Sequence, residues 1–144
     1  MVVTDKPDSD GFDAALMLHR AGEFDRARAA YENLLEAAPK DANLLGLLGV
    51  VALQQSRTEK AEALFTEALA AGGEARVRLL NLNNMIVLLR QTGRKQAAQI
   101  LLAEGVPEWP EGAVPNPTER TTILSLGWAL LLLGDPSASQ RLVK

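Results

Sequence analysis

The stretch LLGLLGVVALQQSRTEKAEALFTEALAA, residues 44–71, reads as two helices joined by a tight turn. Residues 44–55 are apolar or small almost throughout, Ser56-Arg57 breaks the run, and residues 59–71 resume it. On the second helix Ala61, Leu64, Phe65 and Ala68 recur at helical spacing and turn inward, while Glu59 and Glu62 face solvent. Gly72-Gly73 ends the helix. Four positions of this hairpin matter beyond it: Gly49, Ser56, Ala61 and Phe65.

Their counterparts recur along the chain. Ala15, Gly49, Ile86 and Gly127 form one rung, and Gly22, Ser56, Gly93 and Gly134 a second. Ala27, Ala61, Ala98 and Ser139 form a third, and Tyr31, Phe65, Leu102 and Val143 a fourth. Each rung steps by 34, then 37, then 41 residues. A common offset on four rungs marks a stacked repeat, an architecture that generally makes surfaces for other proteins. The small residues have a steric role, because a large side chain would push antiparallel helices beyond an axial separation of about 8–10 Å. Tyr31 and Phe65 then plug the gap between successive hairpins. A mid-helix glycine costs about 1 kcal/mol against alanine, which Gly49 and Gly127 must recover by close packing.

The other hairpins are read in the same way. In the first helix Phe12, Ala14, Ala15, Leu16, Leu18 and Ala21 cluster at helical spacing, with Ser9 and Asp10 as candidate caps and Gly22 as the break. Its partner spans about 24–38 and stops before Pro39. The expected organisation is a flexible acidic tail at 1–10 and a single domain at 11–144. Its repeats fall at about 11–40, 42–73, 76–104 and 118–144, with a proline-rich insertion at 105–117. Pro107, Pro110, Pro115 and Pro117 exclude helix from the insertion, where Trp109 is read as an anchor against neighbouring helices. A polyproline-like ligand strip is the alternative there. The last repeat opens with a run, residues 123–133, that is apolar nearly all round, followed by a short helix starting at Asp135-Pro136.

This pattern resembles the tetratricopeptide repeat, a helix–turn–helix unit of 34 residues. Leu48-Gly49, Ala61, Phe65 and Ala68 carry the likeness in the second repeat, and Ala14-Ala15, Gly22-Glu23-Phe24, Ala27, Tyr31 and Pro39 in the first. The third departs at Ile86 and the fourth at Ser139. The resemblance, to repeats of bacterial type, implies an all-α fold, a right-handed superhelix of about three and a half hairpins.

Composition narrows the class. The chain has 144 residues, 47% of them hydrophobic but only 4% aromatic, so the core must rest on Leu, Ala, Val and Ile. Fifteen basic and 18 acidic residues are well mixed, with a net charge of −3, and no basic stripe suited to nucleic acid appears. Cysteine is absent and His19 is the one histidine, so neither a thiolate site nor a histidine-based metal cluster can be assembled. Asp5, Asp8, Asp10 and Asp13 lack the ligand order of a calcium loop. No phosphate-binding or dinucleotide fingerprint occurs. The reading is therefore non-enzymatic, with no cofactor and no metal. The first eleven residues lack the order of a signal peptide, and residues 123–133 are too few to span a bilayer, which takes about 20. A cytoplasmic protein is expected.

The resemblance also implies where a ligand sits. In the family, the first helix of each hairpin lines the concave side. Carried over by register, this gives Phe12, Leu16, His19 and Arg20, then Asn43, Leu47, Val50, Leu53 and Gln54. Asn83, Asn84, Val87, Arg90 and Gln91 follow, then Leu124, Trp128 and Leu131. The family's clamp for a C-terminal carboxylate is not reproduced, because Phe12 and Leu16 stand where it needs polar groups. Asn83 and Asn84 are singled out, since an amide can pair with a peptide backbone without reading its sequence.

The expected function is a protein–protein interaction scaffold that holds a peptide or helix in the concave groove. Two alternatives stand beside it. One is a regulatory or substrate-presenting segment of a larger bacterial transferase, of glycosyl- or sulfotransferase type. The other is a self-associating scaffold, with a homodimer through the apolar C-terminal hairpin.

Overall fold

The computed structural model describes residues 9–132. They form seven helices and, among the described residues, no strand. The helices are α1 (Ser9–Arg20), α2 (Phe24–Ala37), α3 (Ala42–Gln54), α4 (Thr58–Ala71), α5 (Ala75–Gln91), α6 (Lys95–Ala103) and α7 (Pro117–Leu132). The chain divides into two compact units, the first ending at Ala71 and the second beginning at Gly72. In the first, α1 packs on α2, α2 on α3 and α3 on α4. In the second, α5 packs on both α6 and α7. The fold is all-α, as the repeat pattern predicts.

Three hairpin turns share one backbone solution. Gly22, Ser56 and Gly93 all lie in the left-handed region, with φ of 79°, 61° and 75°. Each donates its N–H back to a carbonyl three residues earlier, at His19, Leu53 and Arg90. The next residue donates to a carbonyl five earlier: Glu23 to Leu18 at 2.9 Å, Arg57 to Ala52 at 2.8 Å and Arg94 to Leu89 at 2.8 Å. This paired arrangement satisfies carbonyls that a helix end would leave open. Two sites meet its left-handed requirement with glycine; the middle one imposes it on Ser56, at a steric cost.

The small rung lies inside. Ala27, Ala61 and Ala98 are each 0% exposed, as are Ala15, Tyr31 and Phe65. Gly49 shows why a residue without a side chain stands mid-helix in α3. A Cβ there would fall 2.5 Å from Phe65 Cε1, so the aromatic ring occupies the space a larger residue would need. The mid-helix glycine is retained because the ring of α4 lies against its backbone.

Helix starts differ from the apolar pattern where capping intervenes. α1 begins at Ser9, so Ser9 and Asp10 occupy its first turn rather than capping it, and the expected tail loses its last two residues to the helix. α3 begins at Ala42 because Asp41 Oδ1 accepts the Leu44 N–H at 3.0 Å. Pro117, read above as excluding helix, is the first residue of α7. Its missing N–H is an orphan at that position and its fixed φ suits the first turn. Asn116 and Glu119 complete a reciprocal cap, each side chain accepting the other's backbone N–H, at 2.8 and 2.9 Å. The remainder of the acidic tail, the rung members Gly134, Ser139 and Val143, and the helix expected from Asp135-Pro136 lie outside the described residues.

Candidate functional site

In the first unit the residues assigned to ligand binding come from α1 and α3. Asn43, Leu47, Val50 and Gln54 are spaced by four, three and four, which aligns them along one face of α3. Asn43, Leu47 and Val50 are half-buried, and Gln54 is exposed at the C-terminal end. Phe12, Leu16 and Arg20 make the corresponding face of α1, the first two half-buried and Arg20 exposed. Leu53 is half-buried as well.

His19 ties the two helices together. Its Nε2 lies 2.7 Å from Gln54 Oε1 on α3, and its Nδ1 lies 3.1 Å from the Tyr31 hydroxyl on α2. Gln54 Oε1 is an acceptor, so Nε2 carries the proton and Nδ1 accepts from the Tyr31 O–H in the neutral ring. The imidazole also stands edge-on to Tyr31 and Phe24, with centroids 5.8 and 6.1 Å away. Burial pushes the Tyr31 hydroxyl above its usual range, partly opposed by the nearby Arg20 charge. The histidine is thus a bridge among three helices, placing Gln54 beside the α1 face. Register alone put His19 and Gln54 on the expected surface; their bond, across 35 residues, was not legible from spacing.

In the second unit Asn83, Asn84 and Val87 are half-buried on α5, and Arg90 and Gln91 are exposed near its end. Asn83 Oδ1 is buried with no hydrogen-bond partner among the described residues. Asn81, by contrast, is 2% exposed and belongs to the core face. On α7, Ile123, Leu126, Ala129 and Leu130 turn inward, whereas Leu124, Trp128, Leu131 and Leu132 are exposed, Trp128 by 63%. The apolar all-round helix of the fourth repeat therefore presents an uncovered stripe among the described residues.

The insertion between α6 and α7 is held by Trp109. Its indole N–H donates to the Ala113 carbonyl at 2.7 Å, and the Arg76 guanidinium of α5 sits 5.2 Å from the ring centroid. Arg76 also forms a two-pronged ion pair with Glu119, with its Nε 2.7 Å from Glu119 Oε2 and its Nη2 bonded to Oε1. That bond from Arg76, helped by the Asn116 N–H, holds the Glu119 carboxyl below the usual carboxylate range. Trp109 is thus pinned as an anchor, which favours the first of the two readings of the insertion.

The described residues contain no group of three or more His, Asp or Glu side chains placed to hold a metal ion. No helix of the described residues is long and apolar enough to cross a membrane. Residues 12–76 match the family model for the tetratricopeptide repeat, spanning α1 to α4. No curated protein matches the chain.

Proposed function

Since this chain is a tetratricopeptide repeat protein over residues 12–76, and such repeats serve as protein–protein interaction modules, we propose that it is a non-enzymatic scaffold that seats an extended or amphipathic peptide on the face made by α1 and α3. The observation that carries this reading is the row of half-buried apolar side chains Leu16, Leu47 and Val50. They sit within packed helices yet keep surface open, and the His19–Gln54 bond bridges the two helices.

The energetics favour such a surface. Each side chain already lies within packed helices, so little ordering entropy is lost from the protein when a ligand arrives. The ligand contributes apolar area at about 25 cal/mol per Å² removed from water. Asn43 and Gln54 flank the strip with amides able to pair with a peptide backbone. In the second unit Asn83, Asn84, Val87, Arg90 and Trp128 hold the corresponding register positions.

The test is affinity capture with the intact protein, with Val50→Asp, and with an Asn83/Asn84 double alanine variant, each checked for unchanged helicity. Loss of one specific partner from Val50→Asp supports binding at α1 and α3; its loss from the double variant adds the asparagines. Equal recovery by all three baits places binding elsewhere.

A second reading rests on the stripe of Leu124, Trp128, Leu131 and Leu132, which favours self-association through α7. Molar mass in solution, measured for the protein and for Trp128→Glu, separates it from the first.

A further inference from the structure

The first unit holds a second concavity, on another side of α3. Leu35 of α2, Leu48 and Ala52 of α3 and Leu64 of α4 floor a cavity of about 350 Å³. Successive residues of an α-helix are turned by about 100°, so Leu48 and Ala52 point roughly 150° away from the mean direction of Asn43, Leu47, Val50 and Gln54. This hollow is therefore independent of the face proposed above. Leu48, Ala52 and Leu64 are buried, so the floor is firm and apolar.

The rim is mostly cationic. Arg28, Arg57 and Lys60 border the opening, with Glu32 as the one acid. Glu32 lies 3.6 Å from Arg28, and Asp25 lies 3.8 Å from it, so that guanidinium is answered within the protein. Arg57 and Lys60 are exposed, and no ion pair to either occurs among the described residues. A chain of net charge −3 thus carries two uncompensated positive charges at the mouth of an apolar hollow.

We propose that this cavity binds a segment of a partner protein in which a bulky apolar side chain is flanked by a carboxylate. The side chain would rest on Leu48, Ala52 and Leu64, and the carboxylate would lie between Arg57 and Lys60. Charge complementarity selects this occupant. A cationic segment would meet two like charges, and a purely apolar one would cover the mouth without answering them. The volume exceeds one leucine or phenylalanine side chain, roughly 100–130 Å³, leaving room for the main chain that carries it.

The probes are two amidated twelve-residue peptides of one design, leucines and phenylalanines flanked by glutamates in the first and by lysines in the second. Each is titrated into the full chain with methyl-labelled Leu, Val and Ala. The glutamate peptide is expected to shift Leu48, Ala52 and Leu64 while leaving Leu16, Leu47 and Val50 in place. The double substitution Arg57→Gln, Lys60→Gln should weaken it about fivefold or more, and added salt should do the same. Both positions are exposed, so far-UV circular dichroism should be unchanged. The proposal is overturned if the lysine peptide binds as well, if neither peptide binds, or if the double variant binds equally. It is also overturned if octanoate saturates these methyls where the peptide fails, since the occupant is then a small amphiphile. Shifts confined to Leu16, Leu47 and Val50 would overturn it too while supporting the α1–α3 face.

Discussion

Substituting Gly49 by alanine sets two physical effects against each other, and the structure decides which wins. In a free helix the change stabilises by about 1 kcal/mol, because alanine restricts the unfolded chain and keeps the best helix propensity. Here the added Cβ falls 2.5 Å from Phe65 Cε1 and 2.7 Å from Cδ1, about 1 Å short of ordinary contact. The ring cannot move aside, since Phe65 is fully buried on α4. Forcing an extra carbon into such a site costs about 1–3 kcal/mol. The net expectation is a loss of up to roughly 2 kcal/mol, seen as a fall of up to roughly 8 °C in the midpoint of thermal melting followed at 222 nm. Phe65→Leu in the Gly49→Ala background should return part of the loss, although alone it destabilises by opening a void. The coupling between the two sites then measures the contact itself. A melting midpoint above the parent's for Gly49→Ala would refute the argument that α3 and α4 meet there without spare room.

Three other perturbations follow from named contacts. Ser56→Gly relieves a non-glycine residue held at φ 61° and should raise stability by about 1 kcal/mol in denaturant titration; no gain would mean that Ser56 bears no strain. His19→Leu leaves the buried Tyr31 hydroxyl without its partner and should cost about 1–3 kcal/mol. Adding Tyr31→Phe, the residue type that Phe65 supplies at the same rung, should recover most of that; a further loss would exonerate the hydroxyl. Glu119→Gln should lower the melting midpoint most near neutral pH. The native Glu119 carboxyl titrates below its unfolded value, so its stabilisation is present above the ordinary carboxylate range and is lost as pH falls through the depressed value. The gap between variant and parent should begin to narrow below about pH 4 and close as pH falls through the depressed value; a gap of the same size at low pH would mean that charge plays no part.

Much of the architecture was readable before any tertiary information. The turns at Gly22, Ser56 and Gly93, the buried alanines Ala27, Ala61 and Ala98, and the hairpin of residues 44–71 all follow from periodicity and turn chemistry, which act within a few residues. Where the reading missed, the cause was also local but unweighed. Pro117, grouped with Pro107, Pro110 and Pro115 as excluding helix, is a helix start because Asn116 and Glu119 form the cap around it. The choice of the α3 face with Asn43, Leu47, Val50 and Gln54 came from the family resemblance; helical spacing aligns these residues, and their part in binding is the proposal made for them.

Chain order by itself determined the helical character of the chain, the hairpin turns at Gly22, Ser56 and Gly93, and the small buried positions Ala27, Ala61 and Ala98. Only the folded molecule decided that His19 bridges Tyr31 and Gln54, that Arg76 joins Glu119 beneath Trp109, and that Arg57 and Lys60 ring an apolar hollow. The physical reason is range. Helix and turn preferences are settled among near neighbours, whereas these constellations join side chains up to 43 residues apart, whose meeting depends on how packed helices aim their rotamers.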